Sequence, residues 1–158
     1  ATKRPEKFCG MHFFNPPQLM KLVEVVRGAK TSDVTVQVVK ELAERMGKDA
    51  VVVRKDAPGF IVNRILVPAL NEAIALVQEG VADPADIDKA IKLGLNWPMG
   101  PLALSDYIGL DTVLAMSKVV LKATKKRERS ISLLKKMIRS GSLGRKAGKG
   151  FFDWSEKR

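Results

Sequence analysis

The chain has 158 residues, of which 46 % are hydrophobic and 28 % charged, with a formal net charge of +11. That size and balance fit one ordinary globular domain or two small ones, and no apolar run reaches the roughly 18 to 20 residues of a membrane span. Cys9 is the single cysteine, which excludes an internal disulfide and a cysteine-cluster zinc site; no metal is expected, and a reduced, cytoplasmic setting is.

The first eight residues, ATKRPEKF, contain neither an initiator methionine nor an apolar signal segment, so the chain is expected to be cut from something longer. KFCGMHFF is a short run of β-formers that ends at Asn15-Pro16-Pro17, where two prolines bar a strand interior and force a loop. KLVEVV reads as a second strand. TSDVTVQVVKELAERMGK is helical: Val34, Val38, Leu42 and Met46 fall four apart on one stripe, Thr31 or Ser32 can cap it, and Gly47 can end it. DAVVVRK is a third strand, so residues 1–54 read β-β-α-β. Three strands and one helix make a thin sheet that cannot bury both faces alone, and a larger sheet is expected before Ala1.

After Pro58-Gly59 the pattern becomes all-helical. FIVNRILVPALNEAIALVQEG is a long helix, apolar on most sides, with Pro68 inside it as a predicted kink. Asp83 and Pro84 mark the N-cap and first position of the next helix. PLALSDYIG is a short helix between glycines. LDTVLAMSKVVLKATKK puts Leu110, Val113, Leu114, Val120 and Leu121 on one face, and SISLLKKMIRSG turns Ile131, Leu134 and Ile138 inward. GRKAGKGFFDW is a glycine-rich loop with an aromatic tail.

The net charge is concentrated. Between Lys118 and Lys149 stand 12 basic residues and one acid, Glu128, which accounts for the whole +11; the other 16 bases and 16 acids cancel. Such a field attracts nucleic acid, phosphorylated ligands or anionic membrane, and the bland alternative is a solvated lysine face. The segment has no aromatic residue on which a base could stack, which argues against single-stranded nucleic acid.

His12 is the only histidine. It stands near the end of a strand, before a proline-forced loop, where α/β proteins tend to place sites. A reversal centred on Gln18 sets residue 12 opposite residue 24, and cross-strand partners approach within about 5 Å at Cβ. Glu24 could then hold one imidazole nitrogen and leave the other as a base. The bland readings are a core histidine and a glutamate on an edge strand facing water.

Four stretches in order, HFFNPPQLMKLVEVV, DAPGFIVNRILVPALNEA, NWPMGPLALSDYIGLD and GRKAGKGFFDW, resemble the 3-hydroxyacyl-CoA dehydrogenases of fatty-acid β-oxidation. The resemblance implies an α/β remnant over residues 1–56, the end of a Rossmann-type NAD-binding domain, then an all-α dimerisation domain over 57–158. The whole is mostly α. It implies that His12 is the catalytic base and Glu24 its partner, that Asn63 and Asn15 bind substrate, and that a 3-hydroxyacyl-CoA is oxidised with NAD by a homodimer. The bland alternative for Asn63 is a helix N-terminal cap. The family's G-x-G-x-x-G fingerprint is absent, so NAD is expected to be bound mainly by a missing N-terminal part. The alternatives are a non-catalytic helical dimerisation or acyl-CoA-binding module of a fused β-oxidation protein and, from another class, a nucleic-acid binder.

Overall fold

The computed structural model describes residues 2–125 and 130–155. The chain divides into two compact units, Ala1–Ile61 and Val62–Arg158.

In the first unit, β1 (Gly10–Phe13) runs antiparallel to β2 (Leu22–Val26), and β2 runs parallel to β3 (Asp49–Val53). Helix α1 (Asp33–Arg45) connects the parallel pair, as a crossover between parallel strands requires. The strand order β1-β2-β3 makes β2 the middle strand. Val23 to Val26 are all buried, as expected of a strand covered on both faces. The hydroxyl of Ser32 caps α1 by accepting the Thr35 N–H at 3.2 Å. Gly47, at φ +73°, follows the last turn in the left-handed conformation that a side chain would resist.

One apolar stripe behaves differently from its sequence signature. Val34, Val38, Leu42 and Met46 are exposed, between 46 % and 73 %. The opposite side, Val36, Val39 and Ala43, packs on Val23 and Val25. Both stripes have helical spacing, and the sheet takes the one whose small Ala43 lets the helix approach closely. Glu24 also departs from the edge-strand alternative: it lies in the middle strand and is fully buried.

The second unit contains α2 (Val62–Gln78), α3 (Pro84–Leu95), α4 (Pro101–Ile108), α5 (Leu110–Thr124) and α6 (Ile131–Arg139). Leu70, Ile74, Ile87, Leu102, Leu110, Val113 and Leu134 form its core. Of the residues expected to face inward, Val120, Leu121 and Ile131 are also buried, and Leu114 and Ile138 are partly buried against that core. Pro68 lies inside α2. Asp83 occupies the N-cap of α3 and Pro84 its first position, but the Asp83 side chain makes no capping bond. No helix among the described residues is long and apolar enough to cross a membrane.

Two buried carboxylates organise this unit. Asp88 accepts the N–H groups of Leu102 at 2.8 Å and Ala103 at 2.9 Å, capping α4 from another helix. Burial pushes the Asp88 carboxyl up from its ordinary value, against those two bonds, which pull it down. Asp106 accepts the N–H groups of Phe151 at 3.0 Å and Phe152 at 2.9 Å, and the indole N–H of Trp154 at 2.9 Å. A Cβ on Gly150 would lie 1.9 Å from Asp106 Oδ1, so only glycine admits this approach. The glycine-rich loop is thus folded onto Asp106.

The described cations of the basic segment are all exposed. Lys146 donates to both oxygens of Asp111, at 2.5 and 2.6 Å, and this bond holds the Asp111 carboxyl below its ordinary value. The Arg145 guanidinium lies 5.3 Å from the ring centre of Tyr107 and 6.0 Å from that of Trp154. Lys126, Arg127, Glu128 and Arg129 lie outside the described residues.

Asp106→Asn is expected to cost about 1–3 kcal/mol, because an amide puts donors where an N–H must find an acceptor. Urea unfolding should show a lower midpoint at an unchanged m value; an unchanged midpoint would remove Asp106 from its structural role.

Candidate active site

The antiparallel register pairs His12 with Glu24 across β1 and β2. The turn between the strands contains Asn15, which is exposed, and Pro16. His12 Nδ1 lies 2.7 Å from Glu24 Oε2, with the histidine side chain 28 % exposed and that of the glutamate not at all. The other carboxylate oxygen, Oε1, accepts the N–H of Ile61 at 2.9 Å. With Glu24 ionised, Nδ1 is the donor and the lone pair is left on Nε2. Two aromatic rings meet the imidazole edge-on. Phe14 is 4.8 Å away between centroids at 66°, and Phe60 is 5.2 Å away at 61°.

The pair is therefore a base with an oriented tautomer, partly open to solvent and backed by a dry carboxylate. Such a group can take a proton from a hydroxyl and have the resulting charge stabilised. Of the expected site residues, His12 and Glu24 are brought into direct contact. Asn15 sits three residues after His12, in the turn, and Asn63 belongs to the second unit, half-buried in the first turn of α2. The sequence reading missed Phe14, Phe60 and the Ile61 N–H. The signal for the last two was the Pro58-Gly59 turn, which marks a sharp reversal but not what it reaches. Among the described residues no three His, Cys, Asp or Glu side chains converge as a metal site would need.

Residues 1–57 match the family model described as 3-hydroxyacyl-CoA dehydrogenase, NAD binding domain, and residues 59–154 match 3-hydroxyacyl-CoA dehydrogenase, C-terminal domain. The chain belongs to the 3-hydroxyacyl-CoA dehydrogenase family. It is 53 % identical over 158 residues to the probable 3-hydroxybutyryl-CoA dehydrogenase of Bacillus subtilis, a match covering 99 % of this chain and 55 % of that protein. It is 42 % identical over 160 residues to the mitochondrial hydroxyacyl-coenzyme A dehydrogenase of Homo sapiens, with 98 % and 49 % covered. Among solved structures it resembles (S)-3-hydroxybutyryl-CoA dehydrogenase from Ralstonia eutropha, with a TM-score of 0.91, 47 % identity, and 98 % and 55 % of the two chains covered. The chain spans about half the length of these relatives.

A dinucleotide's pyrophosphate is held by a glycine-rich turn from strand to helix. The turn from β2 to α1 in this member of the dehydrogenase family has Gly28 as its only glycine. Two of its donors are engaged within the unit. The Gly28 N–H donates to Thr31 Oγ1 at 2.9 Å, and the Thr31 hydroxyl donates to the Phe8 carbonyl at 2.6 Å. A turn with one glycine, its N–H already bonded, differs from the glycine-rich phosphate turn.

Proposed function

We propose that the chain carries the proton-transfer half of an NAD-dependent 3-hydroxyacyl-CoA dehydrogenase. The observation that carries this reading is the 2.7 Å bond between His12 Nδ1 and the buried Glu24, in a chain whose family acts on this substrate class by name. The names of the bacterial relatives favour a short, four-carbon acyl chain. His12 Nε2 accepts the proton of the 3-hydroxyl as the carbonyl forms. Glu24 stays ionised and stabilises the positive charge the ring acquires. Asn63, with Asn15 as a second candidate, donates to the developing carbonyl oxygen. NAD, held in the main by a dinucleotide-binding lobe outside these residues, supplies the hydride acceptor. On this reading residues 1–56 are the end of the NAD-binding domain and 57–158 the dimerisation domain, and the protein serves fatty-acid β-oxidation in the cytoplasm.

A second reading is a non-catalytic dimerisation or acyl-CoA-binding module, in keeping with a β2–α1 turn that holds one glycine whose N–H is bonded to Thr31. The two separate in an assay. The chain by itself is expected to show no oxidation of 3-hydroxybutyryl-CoA at saturating NAD; turnover near that of a full-length relative would contradict the missing-lobe reading.

Joined to a dinucleotide-binding lobe, the protein should turn over, and His12→Gln should lower kcat by about 10² to 10⁴ with folding unchanged. Glu24→Gln should also lower kcat, because it removes the charge facing the imidazolium. Retention of most activity by either variant would refute the role given to that residue.

The second unit leaves Ile65, Leu93, Leu95 and Val119 exposed between 59 % and 76 %, which supports a homodimer through the helical unit. Sedimentation at micromolar concentration should report twice the 17.4 kDa of the chain; a clean monomer would overturn this.

A further inference from the structure

The plane of the His12 ring is set by χ1 and χ2, and χ2, a torsion between sp³ and sp² atoms, has a broad well. The bond from Nδ1 to Glu24 restrains that torsion at one edge of the ring. The lone pair of Nε2 lies in the ring plane, so a rotation of a few tens of degrees takes it off a hydroxyl proton that must be met within about 10–20°. Contacts on the ring beyond Glu24 narrow the torsion further.

The turn at Pro58-Gly59-Phe60-Ile61 is built to do that. Gly59 has φ +83° and Phe60 φ +46°, a left-handed conformation that a bulky residue adopts only at a cost. The Phe60 N–H closes the turn on the Ala57 carbonyl at 2.9 Å. The turn then makes two contacts with the pair from adjacent residues. The Phe60 ring meets the imidazole edge-on at 5.2 Å, and the Ile61 N–H holds Glu24 Oε1 at 2.9 Å. A glycine at position 60 would relieve the backbone but would remove the ring contact with His12.

We propose that Phe60 is a positioning residue of the His12–Glu24 pair, holding the plane of the imidazole while the neighbouring Ile61 N–H fixes the carboxylate. This rests on the reading of His12 as the base. Phe14 meets the ring from the residue just after β1; Phe60 is the contribution of the turn.

The chain holds one histidine, so its imidazole resonances belong to His12 alone, and ¹⁵N-imidazole spectra of the 158-residue chain read the pair directly. The unsubstituted chain should show one tautomer, protonated on Nδ1, with an Nδ1–H resonance that exchanges slowly with water. Phe60→Leu should speed that exchange by roughly tenfold or more and broaden the ring signals, with Phe60→Tyr restoring both. Phe60→Gly serves where Phe60→Leu does not fold, since glycine accepts the positive φ. It should loosen the imidazole to the same degree while leaving the urea midpoint at or above that of the unsubstituted chain. Spectra unchanged in both the Leu and Gly variants would overturn the proposal, and so would loosening only in step with a loss of stability. The spectra are read without substrate or NAD. An active His12→Gln protein would therefore refute the catalytic reading and leave the positioning result standing, and the reverse also holds.

Discussion

The first unit is organised around a carboxylate with no access to water. Glu24 lies in the middle strand among Val23, Val25 and Val26, where an ionised group without partners would cost far more than a valine contributes. What makes it tolerable is that its two oxygens face different donors, a histidine on the neighbouring strand and a backbone N–H from the turn at the end of the unit. Each bond depends on a different part of the fold. If the strand register slipped by one residue, Glu24 would face the opposite side of the sheet. If the turn were lost, Oε1 would lose a donor. The same requirement that makes Glu24 safe to bury therefore fixes the strand pairing, the turn after β3 and the tautomer of His12.

The helical unit solves a similar problem with different donors. Asp88 and Asp106 are buried acids whose hydrogen bonds come mainly from backbone N–H groups rather than from cations. Such groups are available only where a helix begins or a loop bends inward, so each acid selects a particular backbone path. The glycines nearby follow from this. Gly100 and Gly150 leave the space that a Cβ would take from Asp88 and Asp106. Among the described residues no buried side-chain nitrogen or oxygen lacks a partner, so these polar groups are satisfied rather than strained. A further link of this kind joins Asn71 on α2 to Ser117 on α5 at 2.8 Å and to Ser130 ahead of α6.

The basic segment belongs to the surface of that unit. Lys146 is paired with Asp111, Arg145 stacks over aromatic rings, and the other described cations face solvent. Exposed pairs of this kind contribute little to stability. The arrangement fits the solvated-face reading, with a field that still raises the local concentration of phosphorylated ligands.

The sequence by itself determined what local spacing controls. The β-β-α-β order, a hydroxyl cap for α1 at residue 31 or 32 and the pairing of residue 12 with residue 24 all follow from periods of two and 3.6 and from a reversal centred on Gln18, just after two prolines. The helix positions of the second part follow in the same way, down to Asp83 and Pro84 at the start of α3. Tertiary structure decided what spacing leaves degenerate. Helix α1 has two apolar stripes of helical period, and only the sheet selects Val36, Val39 and Ala43 over Val34, Val38 and Leu42. The burial of Glu24 depends on β2 being the middle strand, which requires β3 to return beside it. The Ile61 N–H reaches Glu24 across 37 residues of chain, and the Phe151 N–H reaches Asp106 across 45. No periodicity carries such bonds, because they depend on the path of the chain between the two groups and not on the identity of its neighbours.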